Sequence, residues 1–161
     1  VDSWAALYMR DIVIVSGLGI GLGTISFNFT MLLGRLVGDR IRDIIGTFNF
    51  LLCLIIFSII GLSIIINFSS IYSAIIGFGV TGLGISSIVP LAYSIAGNLK
   101  DVNSAVAISI ISISAYGTFM IAPALLGIVA NFYGLNLVFL PMIYLLIFCF
   151  ILLFINKKLF I

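Results

Sequence analysis

The sequence predicts an all-α protein: a polytopic transmembrane helix bundle of five full spans, preceded by part of one more helix. Three observations lead there. Of the 161 residues, 63% are hydrophobic and only 7% are charged, with no histidine, too few polar groups to clothe a water-soluble domain. The apolar residues form runs of about 20, the length a helix needs to cross the hydrocarbon core. The basic residues cluster on alternate connections between those runs, as cytoplasmic loops do.

Residues 1–9 are a short apolar tail closed by Arg10 and Asp11. They read as the end of a helix with no initiator methionine before it, so the chain is expected to be a piece of a longer protein. The first full run, 14–38, ends in the charged stretch "GDRIRD". The second, 47–67, is closed by "NFSS", and the third, 71–98, by Lys100 and Asp101. The fourth, 104–130, ends at "NFYGLN", and the fifth, 136–156, at "NKK". Arg35, Arg40 and Arg42 stand at one connection, Lys100 two connections later, and Lys157 with Lys158 two after that. Only Arg10 falls between. These sites are therefore expected in the cytoplasm, with the C-terminus inside and the bundle in a bacterial inner membrane.

Two glycine-rich stretches suggest close helix packing. Gly17, Gly19, Gly21 and Gly23 alternate in "SGLGIGLG", and Gly77, Gly79, Gly82 and Gly84 recur before Pro90. In lipid, helices that lack side chains at the contact approach closely, and this packing takes over from hydrophobic burial. Cys53 and Cys149 lie inside apolar runs and read as small hydrophobes. The net charge of +2 follows from the topology and gives no reason to expect a nucleic-acid partner. No cofactor or metal site is expected.

The stretch 35–43 stands apart, with Arg35, Asp39, Arg40, Arg42 and Asp43 in nine positions. On a continued helix Arg35, Asp39 and Asp43 are four residues apart and share a face. Positive-inside anchoring explains the arginines but not Asp39, because acids contribute little to orientation. A carboxylate at this depth is favoured when it meets an arginine or a helix N-terminus. A metal-assisted prenyl-transfer site built on Asp39 and Asp43 is an alternative, but it needs further converging acids. The chain offers only Asp101 on that side.

"GRLVGDRIRDIIG" resembles the signature between the second and third helices of each half of major facilitator superfamily transporters. "WAALYMRD", "GLGISSIVPLAYSIAGN" and "AYGTFMIAPALLG" resemble the C-terminal half of the sugar-permease-like branch that includes fucose permease relatives. The resemblance covers essentially the whole chain, as helices seven (partial) to twelve, half of a major facilitator fold. Three departures stand out. Arg35 occupies a glycine position, with Gly34 beside it; Arg42-Asp43 replaces a basic pair; and "IAP" at 121–123 lacks a glycine before the proline.

The resemblance implies a non-enzymatic secondary transporter that rocks between two access states around a small-molecule substrate. It also implies a conformational latch, in which Asp39 docks on a helix N-terminus or arginine of the missing N-terminal six-helix half. Arg35 and Arg40 would hold Asp39 in place. A non-transporting helical subunit that works by pairing is the competing reading.

Polar residues inside the membrane are the substrate candidates, since hydrocarbon offers them no water. Asn28 lies mid-span in the first run. Ser86 and Ser87, with Thr81, lie near the centre of the third. Ser112 and Tyr116, with Ser109, make a polar stripe on the fourth, where Pro123 invites a kink. Trp4 could line the same cavity, whereas Tyr8, beside Arg10, is expected in the interfacial aromatic belt. Asp2, about 12 Å of helix from Arg10, is the candidate for proton coupling, because burial raises a carboxylate's proton affinity.

Overall fold

The computed structural model describes residues 1–99 and 102–157, and every regular element among them is helical. In order these are α1 (Asp2–Asp11), a 3₁₀ turn at Gly17–Gly21, α2 (Leu22–Ile45), α3 (Thr47–Asn67), α4 (Ile71–Ile85) and α5 (Ile88–Gly97). Then follow α6 (Ser104–Tyr133), a second 3₁₀ turn at Leu135–Leu137 and α7 (Leu140–Ile155). Among the described residues five stretches are long and apolar enough to cross a membrane: Gly17–Ile45, Thr47–Asn67, Ile71–Gly97, Ser104–Tyr133 and Leu135–Ile155.

Local chemistry sets the boundaries. Gly46, at φ +83°, ends α2 and starts α3 in a single residue, a conformation that a side chain disfavours. Ser70 and Ser73 form a reciprocal capping box at the start of α4. The Asn103 side chain accepts from the Ala105 N–H at 2.9 Å to open α6. Gly134, at φ +87°, closes it.

The first run departs from its expected limits at both ends. The alternating glycines do not pack a helix interface. Gly17 takes φ +62° and the segment winds into the 3₁₀ turn, because each glycine weakens a helix by roughly 1 kcal/mol. Of the four, Gly23 alone seats against the core, on Phe78 and Met9. At the other end the charged stretch is helix rather than loop, since nothing breaks it between Gly38 and Gly46. The third run also differs, splitting at Ser86 and Ser87 into α4 and α5. α6 runs through Pro123 as one helix.

The second glycine run does pack. α4 lies between α2 and α3 and uses a different glycine pair for each. Gly79 and Gly82 meet Ser26, Thr30 and the Phe27 carbonyl of α2; Gly77 and Gly84 meet Ile65, the Gly61 carbonyl and Ser58 of α3. Hydroxyls stitch the α2 contact, Ser26 donating to the Ile75 carbonyl at 2.8 Å and Thr30 to that of Gly79 at 2.7 Å.

α1 closes this trio through an aromatic cluster. Tyr8, Phe78 and Phe139 meet edge to face, with centroids 5.7 to 5.9 Å apart. Tyr8 is therefore not in an interfacial belt: it is 1% exposed. Its hydroxyl donates to the Ile65 carbonyl, at 2.5 Å, one of the carbonyls left unpaired in the last turn of α3.

α6 and α7 surround this core loosely. α6 buries only Ala107 and Leu126, and α7 buries none of its residues. Lys157 beyond α7 lies 5.4 Å over the ring of Phe48 at the start of α3. That places Lys157 at the same end of the bundle as Arg35, Arg40 and Arg42, with Arg10 opposite. Lys100 and Lys158, which complete the expected charge pattern, lie outside the described residues, as does Asp101.

Candidate functional site

Asn28, Arg35, Asp39 and Arg42 recur along one side of α2, spaced by whole turns. The middle of the helix therefore carries an amide and its far end a charge ladder, in one line.

At the upper part of this line, the Asn28 side-chain amide donates to the Asp2 carboxylate at 3.0 Å and to the Thr24 carbonyl at 3.0 Å. The residue singled out for solute recognition and the one singled out for proton coupling are thus partners, on α2 and α1. Both are exposed, so the pair opens onto a face that this chain leaves uncovered. Trp4, on the same short helix, is half-buried and packs against the aromatic core.

The other candidates are dispersed. Ser112 donates to the Ile108 carbonyl of its own helix at 2.9 Å, and its hydroxyl meets that of Tyr93 on α5 at 3.1 Å. Tyr116, one turn on, is 70% exposed. Ser86 is 1% exposed and its hydroxyl bonds back to the Leu83 carbonyl at 2.7 Å. Ser87 lies over Gly38, near enough that a Cβ there would fall 2.6 Å from its Oγ.

The lower part of the line frames the break between α4 and α5. A residue at Pro90 would normally donate its N–H to the carbonyl four positions back, at Ser86, and proline has none. Arg35 Nε makes that bond instead, at 3.1 Å. Gly34 and Gly38 allow the approach, since Cβ atoms there would lie 2.5 Å from Ser86 Oγ and 2.6 Å from Ser87 Oγ. The motif glycines thus seat α2 on the broken helix.

Beyond the break lies a cleft of about 570 Å³, bounded by Arg35, Asp39 and Arg42 of α2, Phe50 of α3, and Pro90 and Ser94 of α5. Arg42 bridges two carboxylates, at 3.3 Å from Asp39 and 3.1 Å from Asp43. Within this chain the partner of Asp39 lies on its own helix. Arg42, one turn along the same helix, holds it; Arg35 is drawn to the orphaned Ser86 carbonyl; and Arg40 is exposed. Asp39 and Asp43 flank Arg42. Among the described residues no three His, Cys, Asp or Glu side chains group as metal ligands.

Sequence reasoning missed the roles of Tyr8, Ser26, Thr30 and Tyr93. The visible signal for two of them was a small hydroxyl residue on the glycine-facing side of a helix.

Comparison with known proteins fits this arrangement. Residues 3–159 match the Major Facilitator Superfamily. Over 136 residues, 84% of the chain, it is 34% identical to an uncharacterised MFS-type transporter of Yersinia pestis, covering 35% of that protein. The membrane protein MosC of Rhizobium meliloti is 27% identical, with 84% of this chain and 33% of that one covered. An uncharacterised transporter of Sinorhizobium fredii is 26% identical, with 84% and 36% covered. The chain thus spans about a third of the length of these relatives. No solved structure matches it significantly. With a family match across nearly its whole length and five membrane-crossing helices, the chain belongs to the Major Facilitator Superfamily, a family of integral membrane transporters rather than enzymes.

Proposed function

We propose that this chain is the C-terminal six-helix half of a secondary transporter that carries a small polar solute by alternating access. A sugar, as in the fucose permease branch, is the first candidate. The carrying observation is the Asp2–Asn28 hydrogen bond at 3.0 Å on a face the chain leaves open. A carboxylate and an amide held there in hydrocarbon are costly unless they serve a water-filled path. Asn28 recognises solute hydroxyls, and Asp2 takes up the coupling proton, releasing the amide when its charge is lost. Trp4, Ser87, Ser112 and Tyr116 line the rest of the path, and Ser86, 1% exposed, stands behind it. At the cytoplasmic end, Asp39, with its side chain 82% exposed, latches onto the N-terminal half, and Arg35 and Arg40 flank it.

A thermal-shift panel of sugars and small organic acids on the full-length protein tests the reading. At least one solute raises the melting temperature, and Asn28→Ala abolishes that rise. A solute whose effect survives Asn28→Ala and Asp2→Asn alike binds elsewhere and refutes the site. The isolated chain encloses no full path, so uptake into proteoliposomes holding it alone refutes the half-transporter reading. An upstream coding region with six further helices and a second "GxxxD[RK]" loop separates this reading from a non-transporting pairing subunit. Orientation, with the C-terminus in the cytoplasm of the inner-membrane host, is checked by labelling engineered cysteines near Lys100 and near Asn67 in intact cells. Only the site near Asn67 reacts.

A further inference from the structure

The Ser86 carbonyl cannot be satisfied by its own helix, and water does not reach it easily, since Ser86 is 1% exposed. Its neighbours do not help. The Ser86 N–H and hydroxyl both turn back to the Leu83 carbonyl, at 3.3 and 2.7 Å. A buried acceptor left without a donor is strongly unfavourable, and the donor here comes from another helix. Arg35 Nε, at 3.1 Å, is the donor recorded for it among the described residues.

We infer that Arg35 is the pin of a hinge between α4 and α5: it supplies the N–H that Pro90 lacks, and so fixes the angle at which α5 leaves the α2–α3–α4 core. α5 also meets the core through apolar side chains, Leu91 with Phe50 and Leu54 and, beside them, Ile88 and Ile95, and apolar contacts are non-directional and allow sliding. The Arg35 bond is directional and carries a charge on the donor, which makes it the contact that selects one angle. Whatever angle α5 takes passes to α6. Tyr93 meets Ser112 at 3.1 Å, and the Ser104 hydroxyl donates to the Gly97 carbonyl at 2.8 Å. Because Arg35 stands one turn before Asp39 on α2, the pin and the charge ladder share a helix. This inference concerns the break alone and holds for any solute or coupling ion.

The test is a two-by-two set in the full-length protein in detergent, followed by hydrogen exchange of peptides covering α5 and α3. The four forms are wild type, Arg35→Met, Pro90→Ala and the double variant. Pro90→Ala returns a backbone N–H to Ser86, which makes the arginine redundant. Arg35→Met alone speeds exchange in α5 about tenfold, with α3 unchanged; in the Pro90→Ala background the same change has less than about a twofold effect. Failure of Arg35→Met to yield folded protein, with recovery in the double variant, supports the pin equally. An equal acceleration or loss in both backgrounds, or acceleration spread evenly over α3 and α5, overturns it.

Discussion

α4 and α6 look alike as sequences, two apolar stretches containing glycine and hydroxyl residues, yet they sit in the bundle in opposite ways. α4 buries seven of its fifteen residues, four of them glycines. α6 buries two of thirty. A Cβ on any of Gly77, Gly79, Gly82 or Gly84 would strike a neighbour, whereas Gly117 and Gly127 of α6 have open space around them. Hydropathy cannot separate the two, because lipid is as apolar as a helix interface. Spacing can: α4 alternates its glycines between two partners, and α6 has none at packing intervals.

The largest effect separating the two comes from the same change made in each. Gly82→Ala puts a methyl group against the Phe27 backbone carbonyl, which no rotamer change relieves, so the full-length protein loses about 1–3 kcal/mol of stability. Gly117→Ala meets nothing within the chain and gains up to about 1 kcal/mol from helix propensity. Detergent melting curves of the two variants check this. A loss at Gly117 as large as that at Gly82 breaks the comparison and means that the bare face of α6 is covered in the complete protein.

Two tyrosines give a smaller contrast. Tyr8→Phe leaves the Ile65 carbonyl without its donor in the core and lowers stability by about 1–2 kcal/mol. Tyr116→Phe removes a hydroxyl from a ring that is 70% exposed and leaves stability within about 0.5 kcal/mol. If Tyr116 lines the solute path, its change shows instead in the ligand-dependent melting shift, which separates binding from folding.

The spans were legible because long apolar runs between polar punctuation have few alternatives in lipid. What the sequence concealed was local competition. The glycines at 17, 19 and 21 carry the packing spacing of those in α4, but they have no facing helix and unwind instead. Pro90 announced a missing N–H, yet the break appears four residues earlier, at the carbonyl that lost its donor. Tyr8 beside Arg10 fits an interface anchor until the aromatic pair Phe78 and Phe139 is known to surround it. Of the candidate site, the pairing of Asp2 with Asn28 needed the tertiary structure, because 26 residues separate them.

The smallest effect tests how α6 is held at all. Its side-chain link to α5 within the span is the Ser112–Tyr93 contact at 3.1 Å. Ser112 gives its one proton to the Ile108 carbonyl of its own helix at 2.9 Å, so the Tyr93 hydroxyl is the donor between helices. Interhelical bonds of this kind in membranes contribute about 0.6 kcal/mol on average. Ser112→Ala should therefore lower the melting temperature slightly, and Tyr93→Phe by a similar amount, with no further loss when the two are combined. Additive losses would show that each hydroxyl has its own partner. α6 would then be tied to α5 by packing and by the Ser104–Gly97 bond at its first turn, and beyond that turn free to follow whatever covers its outer face.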